Sequence, residues 1–313
     1  MIEATHLTKQ YGNANALFDV NFSIDKGEVV GFLGPNGAGK STTMNLLCGY
    51  LTPSWGQVKI AGIDMVENPL EAKRHIGYLP EIPPLYMDMT VAEQLEFACE
   101  LRGLKLKKPQ LRDYIDNLCA RTQVLDTRDR LIRNLSKGYR QRVSVTQLLV
   151  GEPEILILDE PTVGLDPRQI REFRDLLSEL SHEHTIILSS HILSEISSVC
   201  KRILVFYEGM LIADGEPQSL QEQLAGHRVL EVEISGEEAG VSALLQGIPD
   251  VLAVKPVGNG VYQVAHRMGT DIRGALYRTL RPTGYELLMM KPEEVSLESL
   301  YLRITEHEQE MEA

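Results

Sequence analysis

Gly34-Pro35-Asn36-Gly37-Ala38-Gly39-Lys40-Ser41 fits the pattern G-x-x-x-x-G-K-[ST]. Glycines let a backbone curl until successive N–H groups point at one anion. The stretch follows Val29-Val30-Gly31-Phe32-Leu33, an apolar run that reads as a buried strand. It precedes residues 40–48, which read as a helix with Met44, Leu47 and Cys48 on one face. The positive end of that helix dipole would face the anion. The four fixed positions arise by chance in a chain this long on the order of once in a hundred, and the strand-loop-helix context removes most of that chance. The loop is read as a cradle for the phosphates of ATP. Lys40 would reach the β- and γ-phosphates and the Ser41 hydroxyl would bind Mg²⁺. Gly34, Asn36, Gly37, Gly39, Lys40, Ser41 and Thr42 are the candidate nucleotide contacts.

A second apolar run, Ile155-Leu156-Ile157-Leu158, ends in Asp159-Glu160. Alone, two acids after a strand are best read as solvated surface charge. Beside a phosphate loop they acquire roles: Asp159 in the Mg²⁺ shell, Glu160 orienting or deprotonating the attacking water. His191 follows a third strand, residues 185–189, and starts a helical segment. A lone histidine there is more often structural. In this company it is a candidate contact to the γ-phosphate that fixes the water.

Composition narrows the field. The chain has 313 residues, 43% hydrophobic and 24% charged, with a formal charge of −13; this is ordinary for a globular protein. Nucleic-acid binders present basic stripes, and only short basic pieces such as Lys105, Lys107 and Lys108 occur here, so no nucleic-acid partner is expected. Cys48, Cys99, Cys119 and Cys200 show no metal-ligand spacing and are expected to be free, buried thiols. Met1-Ile2-Glu3-Ala4 does not open a signal peptide. No apolar stretch approaches the ~18 residues that cross a bilayer, so any membrane attachment is expected to come from another polypeptide.

Alternating strands and helices continue to about residue 224, as in a mostly parallel sheet. The early strands are placed at 2–7 and 20–24, with helix-rich sequence at 91–123 and a fourth late strand at 202–206. The pattern restarts at Arg228: strand, helix near 241–245, strands 251–257 and 261–265, helix 271–280, strand 286–290. Leu297, Leu300, Tyr301 and Ile304 then follow at helical spacing. The expected division is an ATP-binding domain, 1–225, a small α+β accessory domain, 226–305, and an acidic tail, 306–313.

With Leu135-Ser136-Lys137-Gly138-Tyr139-Arg140-Gln141-Arg142 added, these residues resemble the ATP-binding subunits of ABC transporters. The stretch looks like the family signature, usually written LSGGQ, with Ser136 fit to cap the following helix. The resemblance implies a P-loop NTPase fold of the α/β class, with an antiparallel β subdomain and a helical signature subdomain. It implies that Ser136 and Gly138 hold the γ-phosphate on a second subunit's loop, so hydrolysis belongs to a dimer, most simply a homodimer. Tyr11 looks like the aromatic that stacks on adenine. Gly164-Leu165-Asp166 looks like the D-loop, with Asp166 crossing the dimer interface, and Ser190-His191 like the switch histidine. Glu81 stands where most members carry the Q-loop glutamine; it can ligate Mg²⁺ but cannot donate as an amide does. Lys137 and Tyr139 also depart from the common signature. These departures and the C-terminal domain resemble the subfamily serving type 2 exporters, including gliding-motility and multidrug-like members. That implies a separate transmembrane permease and a place on the cytoplasmic face of the cell membrane. Relatives acting on chromosomes insert long coiled coils between loop and signature, and translation factors usually carry two cassettes; this chain shows neither. The apolar loop Glu81–Met89 is expected to border a groove for the permease, with Tyr86 or Met87 lining it.

Overall fold

The computed structural model describes residues 1–217, 219–220, 227–267 and 269–293. Two compact units are present, Met1–Gly215 and Glu216–Ala313. The expected boundary at 225/226, the helical spacing of Leu297 to Ile304 and the acidic tail all lie outside the described residues.

In the first unit, strands β1 (Ile2–Tyr11) and β2 (Ala14–Ile24) form a hairpin around Gly12-Asn13. Both outrun their expected lengths, because bulges between Ala4 and Lys9 break the alternation that marks a strand. With β4 (Trp55–Ile60) and β5 (Ile63–Asp64) they make an antiparallel sheet, ordered β2-β1-β4-β5.

The second sheet holds β3 (Val29–Leu33), β6 (Ile76–Leu79), β7 (Ile155–Leu158), β8 (Thr185–Ser190), β9 (Arg202–Tyr207) and β10 (Met210–Gly215). Its order is β10-β9-β3-β8-β7-β6, with every pairing parallel except the β9–β10 hairpin. All four residues of β7 are buried, as expected of a strand covered on both faces. Sequence reading missed β6. Its Gly77 breaks the apolar run, and a Cβ there would stand 2.6 Å from the Leu148 carbonyl oxygen.

The helices of this unit are α1 (Lys40–Leu47), α2 (Pro69–Ala72), α3 (Val91–Leu101), α4 (Lys108–Arg121), α5 (Lys137–Leu148), α6 (Pro167–Leu180) and α7 (Leu193–Ser197). The helix-rich stretch 91–123 divides at Gly103, whose φ of 71° ends α3. A capping box between Thr90 and Glu93 starts α3. One apolar cluster, including Ile2, Leu17, Phe32, Met44 and Phe206, joins the two sheets and α1. Each such side chain stabilises by roughly 1.5–3 kcal/mol on burial, so the segment β3–loop–α1 is seated in the core.

The second unit contains β11 (His227–Ser235), α8 (Glu238–Gln246), β12 (Val251–Gly258), β13 (Val261–Arg267), α9 (Arg273–Leu280) and β14 (Glu286–Glu293). The sheet is antiparallel, ordered β12-β13-β11-β14. This βαββαβ chain order is the ferredoxin-like arrangement. Leu230, Val232, Tyr262 and Val264 meet Val241 and Leu276 in a core of its own.

Candidate functional site

Parallel pairing aligns strand ends. Leu33 sits opposite Ser190, Leu158 opposite Leu188, and Leu79 opposite Leu158. The segments after β3, β6, β7 and β8 therefore leave the sheet along one edge. Ligands of such sheets bind outside the carboxyl ends of the strands.

After β3, the chain bends through Gly37 and Gly39, with φ of 87° and 103°. A Cβ at Gly34 would stand 2.3 Å from the Phe206 carbonyl oxygen. The loop thus packs against β9 too closely for any side chain. Lys40 is only 5% exposed. Its Nζ donates to the carbonyls of Gly34 at 2.7 Å and Pro35 at 3.0 Å. Burial pulls its pKa down, and the charges of Glu160 and Asp159 oppose that. Asn36 and Gly37 are exposed at the tip, and Thr42 is half-buried in the first turn of α1.

Ser41 Oγ donates to Asp159 Oδ1 at 3.2 Å. Glu160 Oε1 lies 3.6 Å from Lys40 Nζ, and Glu160 Oε2 lies 2.8 Å from His191 Nδ1. Glu160 has a φ of 46°, a left-handed conformation for a non-glycine residue. Ser189 ties these acids together: its hydroxyl donates to Asp159 Oδ1 at 2.6 Å and accepts the Glu160 N–H at 2.8 Å. Sequence reading missed Ser189; its place at a strand end two residues before His191 was the available signal. His191 does not start a helix, since α7 begins at Leu193.

Ser136, Gly138 and Asp166 form a second group. Ser136 caps α5, accepting the Tyr139 N–H at 3.4 Å. Asp166 caps α6, accepting the N–H groups of Arg168 and Gln169 at 2.9 Å each. A cleft of about 670 Å³ lies between α5 and α6, bordered by these residues. The two unusual signature residues have identifiable neighbours. A Cβ at Gly164 would stand 2.0 Å from Lys137 Nζ, and the Tyr139 hydroxyl meets Asp126 at 3.4 Å. No hydrogen bond or ion pair among the described residues joins Ser136, Gly138 or Asp166 to the Lys40–Glu160 group.

Tyr11 ends β1 at 50% exposure, with Lys9 Nζ 5.3 Å from its ring centre. Glu81 is exposed, two residues beyond β6. In the loop that follows, Tyr86 is 53% and Met87 44% exposed. The adjacent groove of about 310 Å³ is instead lined by Pro83, Pro84 and Leu85 with Tyr50, Leu101 and Gln147. Tyr86 turns from it to meet Phe97 edge-on, ring centres 5.6 Å apart.

A phosphate loop, an acidic strand end and a helical subdomain on this sheet define a P-loop ATPase. More narrowly, the chain belongs to the ABC transporter family of ATP-binding proteins, whose family model, described as ABC transporter, matches residues 17–163. It is 32% identical over 306 residues to the bacitracin transport ATP-binding protein BcrA of Bacillus licheniformis, covering 97% of each chain. It is 30% identical over 314 residues to the linearmycin resistance ATP-binding protein LnrL of Bacillus subtilis, covering 97% of this chain and 98% of that one. Among solved structures, cbiO1 from Clostridium perfringens, part of the ABC transporter complex cbiONQ, matches with a TM-score of 0.65 and 32% identity, over 70% of this chain and 89% of that one. The dimeric bacterial ABC transporter cassette MJ0796 matches with a TM-score of 0.63 and 25% identity, over 69% of this chain and 98% of that one. The chain is a nucleotide-binding ATPase of the kind that powers transport. Among the described residues no helix is long and apolar enough to cross a membrane.

Proposed function

We propose that two copies of this chain close on ATP and hydrolyse it to drive export through a separate permease at the cytoplasmic face of the membrane. The observation that carries the chemistry is the placement of Glu160, its carboxylate between Lys40 Nζ at 3.6 Å and His191 Nδ1 at 2.8 Å. Glu160 orients and deprotonates the water that attacks the γ-phosphorus. Phosphate oxygens replace the Gly34 and Pro35 carbonyls as acceptors for Lys40, whose charge offsets the charge that builds on the phosphate in the transition state. His191, held by Glu160, faces the same phosphate.

The donors fit Mg²⁺. Ser41 Oγ and Asp159 Oδ1 are hard oxygen atoms already 3.2 Å apart. Among the described residues no group of three or more His, Cys, Asp or Glu could hold a metal. That suits an ion held by few protein oxygens and by the substrate's phosphates. Ser41 and Asp159 would hold Mg²⁺, with Glu81 a further candidate ligand, and the bound ion would neutralise charge on the phosphates.

Ser136, Gly138 and the α5 dipole would complete the partner subunit's site, with Asp166 at the interface. Tyr11 would stack on adenine. The groove lined by Pro83, Pro84 and Leu85 would receive the permease, with Tyr86 and Met87 exposed on the same loop outside it. The relatives named for bacitracin transport and linearmycin resistance support export as the direction. The unit from Glu216 onward would act in dimer packing or regulation.

The test is turnover by the purified full chain. Activity per molecule should rise with concentration as dimers form, and Ser136→Arg should abolish it. A rate per molecule independent of concentration and of Ser136 would remove the dimer from the mechanism.

A further inference from the structure

Gln94 on α3 is 1% exposed. An amide at so buried a position is costly unless its polar atoms are paired. All of them are. Gln94 Oε1 accepts the Tyr86 N–H at 3.0 Å. Its Nε2 donates to Gln147 Oε1 at 2.8 Å and reaches the Pro84 carbonyl at 3.5 Å. Pro84 and Tyr86 belong to the loop that runs back to Glu81 at the carboxyl edge of the parallel sheet. Gln147 lies roughly three turns along α5 from Ser136, the cap at its other end. One buried side chain therefore bonds the loop leaving the catalytic edge to the helix that carries the signature residues.

The rest of the loop is attached differently. Its far end is held through backbone bonds, Ile132 N–H to the Met89 carbonyl and Arg133 N–H to the Met87 carbonyl, both on the segment before the signature. Its near half, Pro83 to Tyr86, contains two prolines without N–H groups. Besides the Gln94 bonds, the ring contact of Tyr86 with Phe97 is its described tie to α3. Gln94 itself sits one residue past the Thr90–Glu93 capping box, and its N–H donates to the Thr90 carbonyl at 3.0 Å.

We infer that Gln94 is a positioning residue: it latches the loop 83–89 to α5 through Gln147, so that the loop and Ser136 move as one body. The inference rests on the reading of Ser136 as the group that meets the partner's phosphate. A helix is stiff, so a shift of the loop would reappear at the α5 N-terminus. With the latch broken, each copy would still bind ATP on its own loop. It would then present Ser136 in a range of orientations and close poorly on its partner.

The test uses the full chain in a Glu160→Gln background, with Mg²⁺-ATP, and three readouts: affinity for a fluorescent ATP analogue, dimer dissociation constant by sedimentation, and Tm. Gln94→Met should keep analogue affinity within about twofold and raise the dimer constant at least tenfold, or about 1.4 kcal/mol. Gln94→Glu should retain dimerisation in the neutral acid form that burial favours, because the carbonyl oxygen accepts the Tyr86 N–H and the O–H donates to Gln147 Oε1. Gln94→Met with Gln147→Met removes the stranded amide and should recover much of the Tm while the dimer stays weak. If dimer affinity recovers together with Tm in that double variant, Gln94 is merely structural and the latch is wrong. If the Glu160→Gln parent itself stays monomeric in Mg²⁺-ATP, the dimer reading fails and the latch with it.

Discussion

The Ser189 hydroxyl donates to Asp159 Oδ1 across 2.6 Å, and both groups are buried. The same oxygen accepts the Glu160 N–H at 2.8 Å, so one side chain from β8 sets both acids at the end of β7. Ser189→Ala would strand the Glu160 N–H and remove a bond from Asp159, at about 1–3 kcal/mol. Urea unfolding should show a loss of that order. ATPase kcat should fall more than ATP affinity, since Glu160 is freed from its left-handed conformation. Unchanged kcat and midpoint would leave Ser189 without a role.

Glu160→Gln keeps the side chain's size but removes its charge and the base. ATP should still bind, while turnover falls by about two to four orders of magnitude, the usual contribution of a positioned general base. The ATP-bound dimer should accumulate in gel filtration with Mg²⁺. Hydrolysis near the parent rate would assign the water to another residue.

Tyr11 stands half exposed at a strand end, where no core packing requires an aromatic ring. Base stacking on such a ring is worth about 1–3 kcal/mol. Tyr11→Ala should therefore weaken ATP binding by about tenfold and Tyr11→Phe hardly at all. Calorimetry giving one affinity for all three proteins would rule out stacking.

Tyr86 meets Phe97 with one edge and leaves the other half of its surface open. Tyr86→Ala should spare ATP binding by the isolated chain and reduce co-purification with the proposed permease from detergent-solubilised membranes. An undiminished complex with normal transport would move the docking surface away from this residue.

The second unit has its own sheet and core. A chain ended at Ala225 should retain ATP affinity within about threefold, or roughly 0.6 kcal/mol, and change in dimerisation or turnover. A folded truncation that no longer binds nucleotide would show that the unit contributes to the site.

The chemistry legible in the sequence was all local. The phosphate loop, the acidic end of β7 and the Ser136 cap each depend on a few consecutive residues, and their backbone demands can be read from glycine spacing, apolar runs and capping chemistry. The buried strand β7 was equally plain, being apolar throughout. Where local pattern failed, a distant contact had overridden it: Gly77 is forced by Leu148, and the bulges of β1 follow its two partner strands. Tertiary structure alone decided which local pieces meet. Residues 34–41, 159–160 and 189–191 converge because β3, β7 and β8 pair in parallel, with Leu33 opposite Ser190 and Leu158 opposite Leu188. The Ser189 bridge and the bonds from Gln94 to the loop and to Gln147 are decided in the same way. Parallel pairing and side-chain bridges between distant segments are set by how apolar surfaces close on one another in three dimensions, and no spacing along the chain encodes them.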